Sequence, residues 1–187
     1  MKKLFLLFLI LGIFSLYSFA QTDDNMKKWT DYMTPGKEHS NLAKMNGDWN
    51  YTVKFWMDPS ASPQTSTGTA TCEMLLGGRY MQMKVSGKMM GMDFNGIGVT
   101  GFDNGKKVWV SSWIDNFGTG LMYMEGTYDD ASKKVVYTGK MYDPMSGKDM
   151  MQKQTIKMVD DKNCEMEMFN VVDGKDVKSM EIKYVKK

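Results

Sequence analysis

Histidine, arginine, cysteine and proline are all scarce in this chain of 187 residues, with one, one, two and four copies. The lone imidazole, His39, gives a Ser-His-Asp or Cys-His arrangement a single base, and most zinc hydrolase sites need at least two histidines. The lone guanidinium, Arg79, leaves the chain short of bidentate phosphate donors, which argues against nucleotide recognition. An excess of either charge is missing too. The 24 basic residues include Lys2 and Lys3 of an N-terminal leader, and without those two the basic residues match the 22 acidic ones. A neutral surface offers no electrostatic case for nucleic acid or for an anionic membrane.

Long apolar runs are confined to the N-terminus. Lys2 and Lys3 precede an apolar core from Leu4 to Tyr17, and the small residues Ser18 and Ala20 follow. That order is a secretory signal peptide. A permanent span would need about 20 apolar residues with a basic stop behind them. Cleavage is expected before Gln21, with export to the periplasm or the extracellular space and no membrane anchor afterwards. No cysteine follows the apolar stretch to carry a lipid. The chain thus divides into a signal peptide (1–20), an N-terminal helical segment (21–46) and a β-barrel domain (47–187).

Methionine is abundant, with 21 copies, and one kind of turn keeps recurring: Phe102-Asp103-Asn104-Gly105, Tyr128-Asp129-Asp130, Tyr142-Asp143-Pro144, Val159-Asp160-Asp161 and Val172-Asp173-Gly174. Asp, Asn and Gly tolerate positive φ or hydrogen-bond their own backbone, so these are hairpin turns. Between them apolar and polar residues alternate, the period of a half-buried strand. About ten strands follow: Trp49–Met57, Thr67–Leu76, Arg79–Val85, Met92–Gly101, Lys107–Ile114, Thr119–Thr127, Lys134–Met141, Asp149–Met158, Cys164–Val171 and Val177–Val185. No gap holds a crossover helix, so the prediction is an all-β, antiparallel up-and-down barrel of about ten strands, closed to remove its edges. Ahead of it, Met26, Trp29 and Met33 mark one helix ended by Pro35-Gly36, and His39, Leu42 and Met45 mark a second; together they form an N-terminal helical cap.

With Trp49 facing inward, the alternation assigns a lumen-facing set. It comprises Trp49, Tyr51, Phe55, Met81, Met83, Phe94, Trp109, Trp113, Met122, Met124, Tyr137, Gln154, Met166 and Met168, joined by Val53, Cys72, Met74, Met150, Ile156, Met180, Ile182 and Tyr184. Ten strands make a barrel wider than its own side chains fill, which leaves room for a ligand. Cys72 and Cys164 fall on the second and ninth strands, with the first and last between them. At about 4.8 Å per strand that is roughly 14 Å, twice the reach of a disulfide, so two buried free thiols are expected.

The ordered string His39-x-x-Leu42, Gly47-x-Trp49, Gly77-Gly78-Arg79-Tyr80, Gly91-x-x-Phe94-x-Gly96, Gly101-Phe102-Asp103-Asn104 and Trp113-Ile114-Asp115 resembles the motifs of the bacterial domain-of-unknown-function family 1579. The likeness runs from about Glu38 to Tyr184. It implies a lipocalin-like or calycin-like barrel and carries no biochemistry with it. Gly47-x-Trp49 is also similar to the lipocalin opening, in which the tryptophan closes the barrel floor against a basic residue; Lys183 or Arg79 would take that role here. Nitrobindin-like barrels bind haem through a histidine late in the chain, and this chain has none after His39. No cofactor is implied.

The residues favour a binding module whose Met-rich, aromatic lumen holds a small apolar ligand, with Gln154 and Ser111 as polar groups facing in. The alternative is a structural or accessory envelope protein with a filled barrel that pairs or excludes those groups. A third reading is copper handling by Met89-Met90-Gly91-Met92 with Met81 and Met83, since thioethers suit Cu(I). Catalysis would rest on a carboxylate pair such as Asp103 and Asp115, but both sit where turn residues are structural. No catalytic or metal-ligating set is assigned, and oligomeric state stays open. His39 is expected to hydrogen-bond a strand end, and Arg79 to be buried as a pair with Asp115 or Glu73.

Overall fold

A computed structural model describes residues 23–187, so the signal-peptide reading of residues 1–20 lies outside the described residues. The chain divides into two units, one ending at Thr34 and one from Pro35 to Lys187. In the first, residues 23–33 form helix α1. Its polar side carries the i,i+4 ion pairs Lys28–Asp24 and, at 2.9 Å, Lys27–Asp31, while Met26, Trp29 and Met33 are exposed. No helix among the described residues is long and apolar enough to cross a membrane.

The second unit opens with helix α2, Lys37–Ala43. Gly36 starts it, and His39, in its first turn, reaches back so that Nδ1 accepts the Gly36 N–H at 3.0 Å. This is the back-bonding half of a capping box, with imidazole in place of the usual Glu or Gln and a glycine that has no side chain to return the bond. His39 therefore binds its own helix start rather than a strand end. His39, Leu42 and Met45 are buried, and α2 packs against β3 and β4, so within this unit the cap is α2.

Ten strands follow: β1 Gly47–Phe55, β2 Gln64–Leu75, β3 Tyr80–Met89, β4 Met92–Asp103, β5 Val108–Asp115, β6 Met122–Asp129, β7 Lys134–Asp143, β8 Lys148–Met158, β9 Asn163–Val172 and β10 Lys175–Lys186. Each pairs antiparallel with its sequence neighbour, and β10 pairs back to β1 to close the barrel. Strand β1 ends at Phe55, so Met57 falls outside the alternation and is exposed. The recurring aspartates make the hairpin turns. Asp103 Oδ1 accepts the N–H groups of Gly105 and Lys106 at 2.8 and 3.0 Å, and Asp129 and Asp143 repeat the pattern two and three residues ahead. In each of these turns the residue four after the aspartate (Lys107, Lys133, Gly147) adopts positive φ, the left-handed step that returns the chain to the next strand.

On the outer wall Glu167 of β9 bridges Lys134 of β7 and Lys178 of β10 at 2.6 and 2.5 Å. Hydrogen bonds from both lysines hold its carboxyl down at about 2, below the ordinary 4.5. A depressed carboxyl stabilises the fold fully above its unfolded value, near 4.5, and that contribution is lost as pH falls through 2. Allowing for its partial exposure, Glu167→Gln is expected to cost about 2 kcal/mol at pH 7. Urea midpoints should show the gap between wild type and variant closing toward pH 2; a constant gap would contradict the assignment.

Candidate functional site

The inward face of the barrel encloses a cavity of about 760 Å³, within the range of small-molecule sites, roughly 300–1,000 Å³. Eleven methionines line it. Of the residues that alternation assigns to the lumen, Tyr51, Met81, Met83, Phe94 and Trp109 line the cavity, as do Trp113, Met122, Tyr137, Gln154, Met166 and Met168. Five others lie outside the lining, among them Cys72 and Met74 of β2, which pack into the core. Trp49 is 0% exposed at the barrel floor, with Nε1 donating at 2.7 Å to the carbonyl of Met45, just past the end of α2. Met124 lies folded against Gly139, and Phe55 is packed into the core at the other end of β1.

The basic partner of Trp49 is neither Lys183 nor Arg79. It is Lys186, whose Nζ sits 5.3 Å from the ring centroid and donates to the Lys44 carbonyl at 3.1 Å. Lys183 instead pairs with Glu165 at 3.6 Å on the outer wall. Arg79, half-buried before β3, donates to Leu76 O at 3.0 Å. The register sets Asp115 level with Gly96 and Val85, six residues along β3 from Arg79, so an Arg79–Asp115 pair cannot form. Asp103 and Asp115 likewise sit at opposite ends of the barrel and make no acid–base pair. Asp115 accepts the Trp113 indole N–H at 2.7 Å and the Phe117 N–H at 2.9 Å, which fixes the Trp113 ring.

Inward-facing glycines make room for the large rings, and reading only the apolar positions passes over them. Trp113 lies across Gly96, where a Cβ would stand 2.5 Å from Cη2, and stacks on Phe94 at 6.4 Å. Tyr51 lies across Gly68, where a Cβ would meet Cζ at 2.5 Å. The legible signal was Phe94-x-Gly96-x-Gly98, three alternate positions on one face.

Electrostatically the lumen is neutral. Its charged lining residues lie at the ends: Lys44 and Lys133 at the α2 end, Lys88 and Asp115 at the far end. Burial raises the phenols of Tyr51, Tyr137 and Tyr184 and pushes the Cys164 thiol up to about 12. Cys72 is shifted to the same value, and both cysteines are free and buried. Thr100 and Ser111 put hydroxyls on one side of the lumen, 3.5 Å apart, and Gln152 and Gln154 put amides on another. Gln152 was not assigned from the sequence, although it alternates with Gln154. No group of three His, Cys, Asp or Glu that could hold a metal ion occurs among the described residues.

No curated protein matches the chain. Thirteen chains of solved structures do. One is a redesigned beta barrel, 12% identical, with 78% of this chain and 94% of that one covered and a TM-score of 0.41. The family described as "Protein of unknown function (DUF1579)" matches residues 34–186, from just before α2 to the last residue of β10, and the chain belongs to that family.

Proposed function

We propose that this protein is an exported carrier that holds a small, uncharged, largely apolar molecule in its barrel lumen. The observation that carries the reading is the cavity of about 760 Å³ lined by eleven methionines. Thioether side chains are flexible and polarizable, so they close around ligands of irregular shape. Trp109, Trp113 and Tyr137 add rigid faces. A lumen of this volume, with Gln154 and Ser111 on its wall, supports binding over a barrel filled by its own side chains. The leader pattern of residues 1–20 supports export.

Native mass spectrometry of protein purified gently from its own host should show a stoichiometric organic adduct on a chain that begins at Gln21. Titration of the apo protein with 1,6-diphenylhexatriene, an apolar probe, should saturate at one per chain and quench Trp109 and Trp113. Filling the lumen with Met83→Trp and Met166→Trp together should weaken probe binding at least tenfold. A clean apo mass together with no probe binding would sink the reading, and a bound copper ion would replace it with the thioether–metal one.

A further inference from the structure

One buried side-chain atom among the described residues is left without a hydrogen-bond partner, and it belongs to a residue that lines this lumen: Gln152 Oε1. Gln152 is 3% exposed, and its Nε2 donates to Asn170 Oδ1 at 2.9 Å across the β8–β9 pair. That bond uses one of the two Nε2 hydrogens and leaves Oε1 with no donor. A buried acceptor with no donor is a costly group to keep in a folded protein. The terminal amide torsion of glutamine is soft, so a small turn presents Oε1 to a molecule in the cavity while Asn170 stays in reach.

We infer that the lumen ligand carries a neutral hydrogen-bond donor, a hydroxyl or an amide N–H, on an otherwise apolar body, and that Gln152 Oε1 accepts it. The inference rests on the lumen-binding reading and names the ligand class. Tyrosine hydroxyls elsewhere in the lumen donate or accept and so do not set the ligand's polarity, whereas the free end of Gln152 can only accept. A carboxylate head would set acceptor against acceptor and bring a charge into a neutral interior, which is disfavoured. The lysines at the ends do not offset that, because Lys88 already pairs with Asp93 at 3.0 Å and Lys133 with Asp130 at 3.8 Å, and Lys44 is exposed to solvent at the mouth.

The test is displacement of 1,6-diphenylhexatriene from the apo protein by three molecules of similar length: 1-dodecanol, dodecyl methyl ether and dodecanoate. Dodecanol is expected to displace the probe at about tenfold lower concentration than the ether, which keeps the oxygen but lacks the donor. Gln152→Met should erase that difference. Equal displacement by alcohol and ether in the wild type, or stronger displacement by dodecanoate, overturns the inference while the lumen reading stands. Failure of the probe and all three molecules to bind overturns both. The wild-type comparison decides the matter even where the variant fails to fold.

Discussion

Replacing Trp49 with alanine is expected to lower the stability of the barrel by about 4 kcal/mol, the cost of emptying a fully packed tryptophan site. Trp49 is 0% exposed, so none of its lost area is recovered from solvent contact. Its indole N–H satisfies the Met45 carbonyl just past the end of α2, and its ring carries Lys186, which satisfies the Lys44 carbonyl. One side chain thus closes the floor and ties the cap to the first and last strands. Alanine leaves a cavity and removes the donor to Met45; phenylalanine keeps much of the volume and should cost about 1–2 kcal/mol. For a domain of this size 4 kcal/mol corresponds to a fall in Tm of roughly 8–16 °C. Urea unfolding should show the midpoint falling with little change in slope. A loss below about 1 kcal/mol would mean that the floor is held by something else.

What alternation made legible was the wall. Period-two patterning and Asp-rich turns are local signals, and neighbours in sequence are neighbours in an up-and-down sheet, so the ten-strand closed barrel followed from them. The face of each residue was legible for the same reason, since Met81, Met83 and Met166 all point into the cavity. Depth along the axis was not. Trp49, Met124 and Met166 share one inward face, yet only Met166 borders the cavity, because Trp49 is packed into the floor with its indole on the Met45 carbonyl and Gly139 receives Met124. Partners across the barrel were not legible either. They depend on register, which places Asp115 six residues away from the level of Arg79 and brings Lys186 opposite Trp49. Gln152 was missed because a polar residue on a strand reads as outward until its alternation with Gln154 is counted.

Above pH 9 the protein should lose stability steeply, and its two thiols are the cause. Cys72 and Cys164 ionise near 9.0 in the unfolded chain but only near 12 when folded, because burial disfavours the thiolate. Between those values the unfolded chain has released both protons and the folded one has kept them. The unfolded state then binds fewer protons, so stability falls as pH rises. Each thiol contributes about 1.4 kcal/mol per pH unit, and the pair about 2.7. Two units into that window the loss is about 5 kcal/mol, as large as the whole stability of many domains. The buried phenols of Tyr137 and Tyr184 act in the same direction at higher pH. Urea midpoints at pH 7, 9 and 10 should trace the decline, and Cys72→Ala with Cys164→Ala should remove most of the slope between 9 and 10. Native thiols should also resist alkylation at pH 8, with about a thousandth of the ordinary thiolate fraction. An unchanged slope in the double variant would move the alkaline lability to the tyrosines, while rapid native alkylation would show that the inner ends of β2 and β9 open to solvent.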